Sequence, residues 1–287
     1  MVFRDRVSVD VGACLEKGFV GAIGAVPGTV CAHPFDVVKI RMQTTPAGGG
    51  LRAAVLAVGG ETKPRVGRFF AGLSPAVLQK VLTRGPMFLA SEFSTQVVES
   101  TTQLGRTGSC FVGSFCSGFM TGNLASLPEY HKVLRSQNLA GQGADSISGL
   151  VRTALANKQG VSLLRRMRFA GTRNGIFDSC FFGTQHLMSG SMSSGQSYAC
   201  AAVSAVVLDY SVDVAVKRSM ALPPHLGVKP LASCLRSLFS GHRSLFHGIL
   251  AVYAGLTPKC TEFSVSYFVT GTVGVATAAS LKAVFWG

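Results

Sequence analysis

His33-Pro34-Phe35-Asp36-Val37-Val38-Lys39-Ile40-Arg41-Met42-Gln43 closes an apolar run that opens near Gly18. Asp36 and Lys39 stand three residues apart, so a helix carries them on one face. An acid and a base where an apolar helix ends are costly unless they line water or meet charges on other helices. Pro34 removes a backbone hydrogen bond and bends the helix that contains it. The stretch therefore reads as the charged tip of a membrane-type helix.

Composition agrees. Hydrophobic residues make up 47% of the 287-residue chain, charged residues only 14%, and mean hydropathy is +0.37, which favours a membrane protein over a soluble one. The net charge of +14 fits nucleic acid, anionic lipid or a small anion. A nucleic-acid binder would cluster its bases among stacking aromatics. Here Lys and Arg are scattered singly between apolar runs, which argues against a nucleic-acid partner. The cysteines form no Cys-x-x-Cys pair and no zinc spacing, so neither metal nor cofactor is expected. Met1-Val-Phe-Arg-Asp-Arg6 is too short and too acidic for a transit peptide, and no secretory hydrophobic region follows. Any targeting signal is expected to be internal.

The opening stretch recurs. Pro128-Glu-Tyr-His-Lys-Val-Leu-Arg135-Ser-Gln137 recovers its proline and its Arg-x-Gln. At the same spacing Gly24 returns as Gly118, and Gly28 as Gly122. A fainter copy is Ser211-Val-Asp213-Val-Ala-Val216-Lys-Arg218-Ser-Met220, preceded by the small residues Ala201 and Ala205. Three repeats follow, at 1–100, 101–192 and 193–287. Each holds a second apolar segment, and six helices are expected, at about 12–42, 73–99, 107–137, 168–190, 194–220 and 248–284. Residues 263–281 carry no charge and are about long enough to span a bilayer. Short amphipathic links are expected at 51–58, 147–156 and 231–239. Glycines 18, 21, 24 and 28 lack the Gly-x-Gly core of a dinucleotide loop and read as a close helix–helix contact.

Pro-x-Asp-x-x-Lys-x-Arg-x-Gln over residues 34–43 is the signature of the mitochondrial carrier family, which this chain resembles most clearly in its first repeat. The resemblance implies an all-α membrane protein of six transmembrane helices in three pseudo-threefold repeats. Each repeat would add a short amphipathic helix on the matrix side, where Arg52, Arg152 and Arg236 would meet lipid headgroups, cardiolipin among them. A monomeric, multi-pass protein of the mitochondrial inner membrane is expected.

The resemblance also implies a ring of ion pairs between repeats that closes the matrix side. Its acid positions are Asp36, Tyr130 and Asp213, and its base positions Lys39, Val133 and Val216. Only Lys39–Asp213 remains a full pair, and Pro34 and Gln43 complete this matrix gate. Asp36 loses its expected partner to Val133, with Lys132 nearby as a substitute, and Tyr130 faces Val216. On the outer side Glu92 is matched by His186 and Phe268, so no outer ionic gate is expected.

Charges in mid-helix point to a substrate. The candidates are Gln79, Lys80 and Arg84 in the second helix, Arg173 and Asn174 in the fourth, and Lys259 and Glu262 in the sixth. Lys259 and Glu262 can cancel each other along one helix. Arg173-Asn174 carries most weight, because a guanidinium matches a carboxylate with two parallel hydrogen bonds. Arg84 or Lys80 would hold a second carboxylate. Arg173-Asn-Gly-Ile-Phe-Asp-Ser-Cys-Phe-Phe-Gly183 looks most like the oxodicarboxylate carriers, and Thr83-Arg84-Gly85 is similar to the citrate–oxoglutarate branch. The bland alternative is that Arg173 pairs with Asp178 or a neighbouring helix and never meets substrate. Gly255 also departs from the pattern, since many relatives place an arginine there.

The expected function is exchange of a small anionic metabolite, a di- or tricarboxylate or 2-oxo acid, by alternating access through a cationic cavity. The alternatives are a nucleotide or phosphate carrier, or a non-transporting membrane scaffold derived from a carrier. No nucleophile–base constellation suggests an enzyme.

Overall fold

Every regular element is helical among the residues that the computed structural model describes: 9–44, 55–56, 58, 66–70, 73–136, 146–220, 227–239, 253 and 256–286. The first helix, α1 (Val11–Thr44), runs through both Pro27 and Pro34. Each proline costs one backbone hydrogen bond but does not end the helix. After a 3₁₀ turn at Val66–Phe70 come α2 (Leu73–Thr101) and α3 (Arg106–Ser136), with Pro86 and Pro128 inside them. The short α4 (Ile147–Ala156) starts at Ser146, whose hydroxyl accepts from the Gly149 amide at 3.0 Å. That bond satisfies one of the open amides of the first turn. The helix stops at Asn157–Lys158, where Lys158 takes φ 55°.

The long helices α5 (Gly160–Met188) and α6 (Ser194–Met220) follow, then the short α7 (Leu231–Phe239). The last stretch is α8 (Leu256–Val269), a five-residue π turn (Thr270–Gly274) and α9 (Val275–Trp286).

The long helices fall close to where the sequence places them, except that one starts earlier. The opening of the sixth, expected from 248, lies outside the described residues apart from residue 253. The fourth was expected from about residue 168, yet α5 begins at Gly160. Arg165, Arg166 and Arg168 read as a polar approach, but arginine is a good helix former and its stem packs against apolar surface. Arg166 is 1% exposed, stacked 4.6 Å from the Tyr130 ring centroid, and its Nε donates to the Ser219 carbonyl at 3.2 Å. The amphipathic links at 147–156 and 231–239 form α4 and α7 as expected. Most of the first link, 51–58, lies outside the described residues.

Among the described residues two helices are long and apolar enough to cross a membrane by length and composition alone, Val11–Lys39 and Ser194–Met220. The other long helices carry charges along their length, such as Lys80 and Arg84 in α2 and Arg166 and Arg173 in α5.

Two compact units divide the chain. The first comprises Met1–Ser117, Asp178–Val207 and Gly255–Gly287, and the second Gly118–Phe177 and Leu208–Ala254. Three of the four boundaries fall inside α3, α5 and α6 and the fourth lies between 254 and 255, so the units follow a different division from the three sequence repeats.

The first unit is built on close helix approach and aromatic packing. A Cβ on Gly24 would stand 2.7 Å from the Thr270 carbonyl oxygen, and one on Gly28 would stand 2.5 Å from that of Ser266. The glycine series of α1 is thus a helix contact, as its spacing predicts. Phe88 packs against Phe182 edge-on, with centroids 5.0 Å apart, and Phe181 packs against Tyr267 at 4.5 Å. Such pairs add about 0.5–1.5 kcal/mol each beyond simple burial. The second unit has its own core, which includes Tyr130, Leu150, Leu163, Phe169, Val216 and Met220.

Candidate functional site

In the first unit α1 brings Asp36 and Lys39 to one face, as their spacing requires. Lys39 is 6% exposed, and its Nζ donates to Glu262 at 2.7 Å and to Asp36 at 3.4 Å. Glu262 therefore meets a base from a distant part of the chain as well as lying one turn from Lys259. Sequence reasoning missed that role, because spacing along α8 shows Lys259 as a neighbour and says nothing of α1. Pro34 sits half-buried inside α1. Gln43 lies on the same helix, with its side chain outside what is described, as is that of Gln79 on α2.

Around Phe263 three lysines converge. Lys80 and Lys259 each place Nζ 5.6 Å from the ring centroid, and Lys39 places its own at 5.9 Å. Lys80 has no carboxylate within salt-bridge distance among the described residues.

One turn along α2, Arg84 is 4% exposed. Its Nη1 donates to Thr270 Oγ1 at 2.9 Å and its Nη2 to Ser266 Oγ at 2.7 Å. Its guanidinium carbon lies 4.3 Å from the Tyr267 centroid. Among the described residues every partner of Arg84 is neutral. A buried cation without a counter-charge is the kind of group that attracts an anion, because low-dielectric walls strengthen the attraction.

Toward the other end of α2, Glu92 is bound by Arg106, the first residue of α3, which also donates to Glu99 at 2.7 Å. Gln96 adds a bond to Glu92 at 2.9 Å. Glu92 is thus tied down within the unit. A cleft of about 460 Å³ opens there, lined by Glu92 and Arg106 together with Glu16, Lys17, Gln185 and Ser197. Neither Lys80 nor Arg84 is among its lining residues.

The second unit holds the other expected site residues. Arg173 donates across both terminal nitrogens to Glu129, Nη1–Oε1 2.6 Å and Nη2–Oε2 2.8 Å. Nη1 also reaches Asp213 at 3.3 Å, and Nε and Nη2 reach Asn174 Oδ1 at 3.0 and 2.7 Å. All five N–H donors of the guanidinium are thereby engaged. Asp213 takes a further ion pair from Lys217 at 3.3 Å. Asn174 is held against α3, since a Cβ on Gly122 would lie 2.8 Å from its own.

The carboxylate that Arg173 meets with two bonds within this unit is that of Glu129, on a neighbouring helix. Tyr130, placed by the motif at the acid position, is 1% exposed and shares the buried core with Val216. The acid that pairs with both terminal nitrogens of Arg173 is Glu129, one residue before the motif position at Tyr130. The side chains of Lys132 and Val133 lie outside what is described.

Among the described residues no three His, Cys, Asp or Glu side chains converge to hold a metal ion.

Comparison with known proteins supports the resemblance in part. Residues 12–101 match the family described as mitochondrial carrier protein, which is less than half of the chain. Mitochondrial ornithine transporter 1 of Rattus norvegicus is 33% identical over 108 residues, covering 33% of this chain and 35% of that protein. The chain thus matches about a third of the length of this curated relative.

Proposed function

We propose that the chain is a mitochondrial inner-membrane carrier that moves an anionic metabolite, a di- or tricarboxylate or a 2-oxo acid, by alternating access. The six long helices would each span the bilayer, in three pseudo-threefold repeats, with α4 and α7 lying along the matrix surface. The observation that carries this reading is Arg84: a guanidinium 4% exposed whose described partners are two hydroxyls and a ring. With Lys80 it offers two cations to one substrate, and each would replace part of the hydration that the anion loses.

Arg173 and Asn174 keep a second place, because a substrate carboxylate arriving there has to displace Glu129. The matrix gate, with Pro34, Asp36, Lys39, Gln43, Tyr130 and Asp213 as its residues, would open as buried ion pairs such as Lys39–Glu262 part. A monomer is expected, with anionic lipid such as cardiolipin at the amphipathic helices.

The relative's printed name favours a second reading, an amino acid carrying both charges. Asp36 and Glu262 beside the lysines give such a substrate's ammonium a place to go.

Purified protein in liposomes, screened for uptake of labelled 2-oxoglutarate, citrate, malate, ornithine, ADP and phosphate, tests these readings. Uptake of a carboxylate that is lost in Arg84→Ala and Lys80→Ala supports the first. Uptake of ornithine alone supports the second. No uptake of any of them, from protein that remains folded, favours the non-transporting scaffold.

A further inference from the structure

Arg84 and Arg173 present the same fork to different partners. In Arg173 the two terminal nitrogens grip the two oxygens of one carboxylate, that of Glu129, at 2.6 and 2.8 Å. In Arg84 the two terminal nitrogens hold two separate hydroxyl oxygens, Thr270 Oγ1 at 2.9 Å and Ser266 Oγ at 2.7 Å. The hydroxyls come from residues four apart on α8 and the π turn that follows it, so one helix face supplies both. Each stands on a nitrogen that a bidentate carboxylate would use.

We propose that Ser266 and Thr270 are internal competitors of the substrate for Arg84, keeping the buried guanidinium hydrogen-bonded while no anion is present and yielding it when a carboxylate arrives. The inference rests on the reading of Arg84 as a substrate cation.

Three features support it beyond the two bonds. A buried guanidinium without acceptors would be strongly destabilised, so something must hold it between rounds of binding. A neutral hydroxyl is a weaker partner than a carboxylate, because the carboxylate adds its own charge to that of the guanidinium and accepts two parallel bonds. The exchange therefore favours substrate without trapping Arg84 in a permanent ion pair of the Arg173–Glu129 kind. Lastly, Thr270 Oγ1 also lies 3.0 Å from the Gly24 carbonyl and 2.8 Å from that of Ser266, with its single proton available to either. When Arg84 leaves, the threonine keeps an acceptor for that proton, so release strands no donor.

Ser266 and Thr270 are thus positioning residues that set affinity from the protein's side of the exchange. The prediction has an unusual sign. Removing a group that touches substrate weakens binding, whereas removing a competitor tightens it. Ser266→Ala and Thr270→Val are measured in liposomes for half-saturation by 2-oxoglutarate and by citrate, and in detergent for the melting temperature with and without each anion. Thr270→Ser, which keeps the hydroxyl, is the control.

The expected result is half-saturation lowered about three- to tenfold in Ser266→Ala, the range that one lost hydrogen bond supplies. The anion-free melting temperature should fall, and the rise on adding anion should be larger than in the unmodified protein. Thr270→Ser should behave as the unmodified protein. Weaker or unchanged half-saturation in a folded Ser266→Ala protein overturns the proposal. Should Thr270→Val fail to fold, Ser266→Ala decides alone. Arg84→Ala separates the two claims: if it abolishes the anion's effect while Ser266→Ala does not tighten binding, the competitor role falls and the substrate cation stands. If Arg84→Ala leaves the anion's effect intact, or neither anion acts on any form, both fall.

Discussion

Arg173 and Glu129 form a two-bond pair, Nη1–Oε1 2.6 Å and Nη2–Oε2 2.8 Å, between α5 and α3. The arginine's side chain keeps 12% of its exposure and the glutamate's 21%. Removing one partner of a fully buried pair costs about 3–5 kcal/mol, because the other charge is left in a poor solvent. The residual exposure of Glu129 and the remaining bond to Asp213 lower that figure.

Glu129→Ala is therefore expected to destabilise the second unit by about 2 kcal/mol, with Glu129→Gln intermediate. Thermal unfolding of the detergent-solubilised protein measures it. A melting temperature unchanged in Glu129→Ala means that the pair contributes nothing net.

Lys39 and Glu262 should behave as a coupled pair. Each single change to alanine leaves an opposite charge buried, and the double change removes both. A double-mutant cycle should give a coupling of about 1–3 kcal/mol, at the upper end of the range for residues in contact. The charge swap, Lys39→Glu with Glu262→Lys, should recover part of the stability. If the single effects simply add, the bond at 2.7 Å carries no energy of its own.

Gly24→Ala should destabilise the first unit by about 1–3 kcal/mol, since the new methyl meets backbone as well as the Thr270 side chain and neither helix can easily yield. Gly105→Ala is the matched control, because nothing lies within 4 Å of a Cβ there. Its effect should stay within about 0.5 kcal/mol. Equal melting temperatures for the two variants would remove the case for a glycine-dependent helix contact.

The helices were legible because their signals are local. The amphipathic link at 147–156 marks α4, and the charge-free stretch 195–208 marks the body of α6. Alternation of small residues in α1 was enough to identify a contact face, though not its partner. The start of α5 was hidden by its arginines, which look polar one at a time and become structural only when Arg166 finds Tyr130.

The candidate site was legible as a set of charges but not as a set of pairs. Periodicity places Asp36 and Lys39 on one face and cannot show that Glu262 completes them. A strict Pro-x-Asp spacing pointed at Tyr130 and passed over Glu129, one residue from the expected acid. That acid pairs with the arginine which the sequence alone places first for substrate. Arg84 gains by the same logic, since no periodic signal could reveal that its described partners are all neutral.

The π turn at Thr270–Gly274 has a consequence for the geometry of the last helix. A wide turn adds one residue to the winding, which resets the angular phase of everything downstream by about 100°. Thr270 consequently bonds Arg84 on α2 while Gly274 abuts the carbonyl of Val20 on α1, where a Cβ would come within 2.6 Å. Deleting one residue of the five would restore regular winding and leave the phase of Val275–Trp286 nearly unchanged, because four α-helical residues turn the chain about as far as five in a π turn. The C-terminal segment would keep its face toward α1, whereas inserting a residue there, or straightening the turn without a deletion, would rotate that face away.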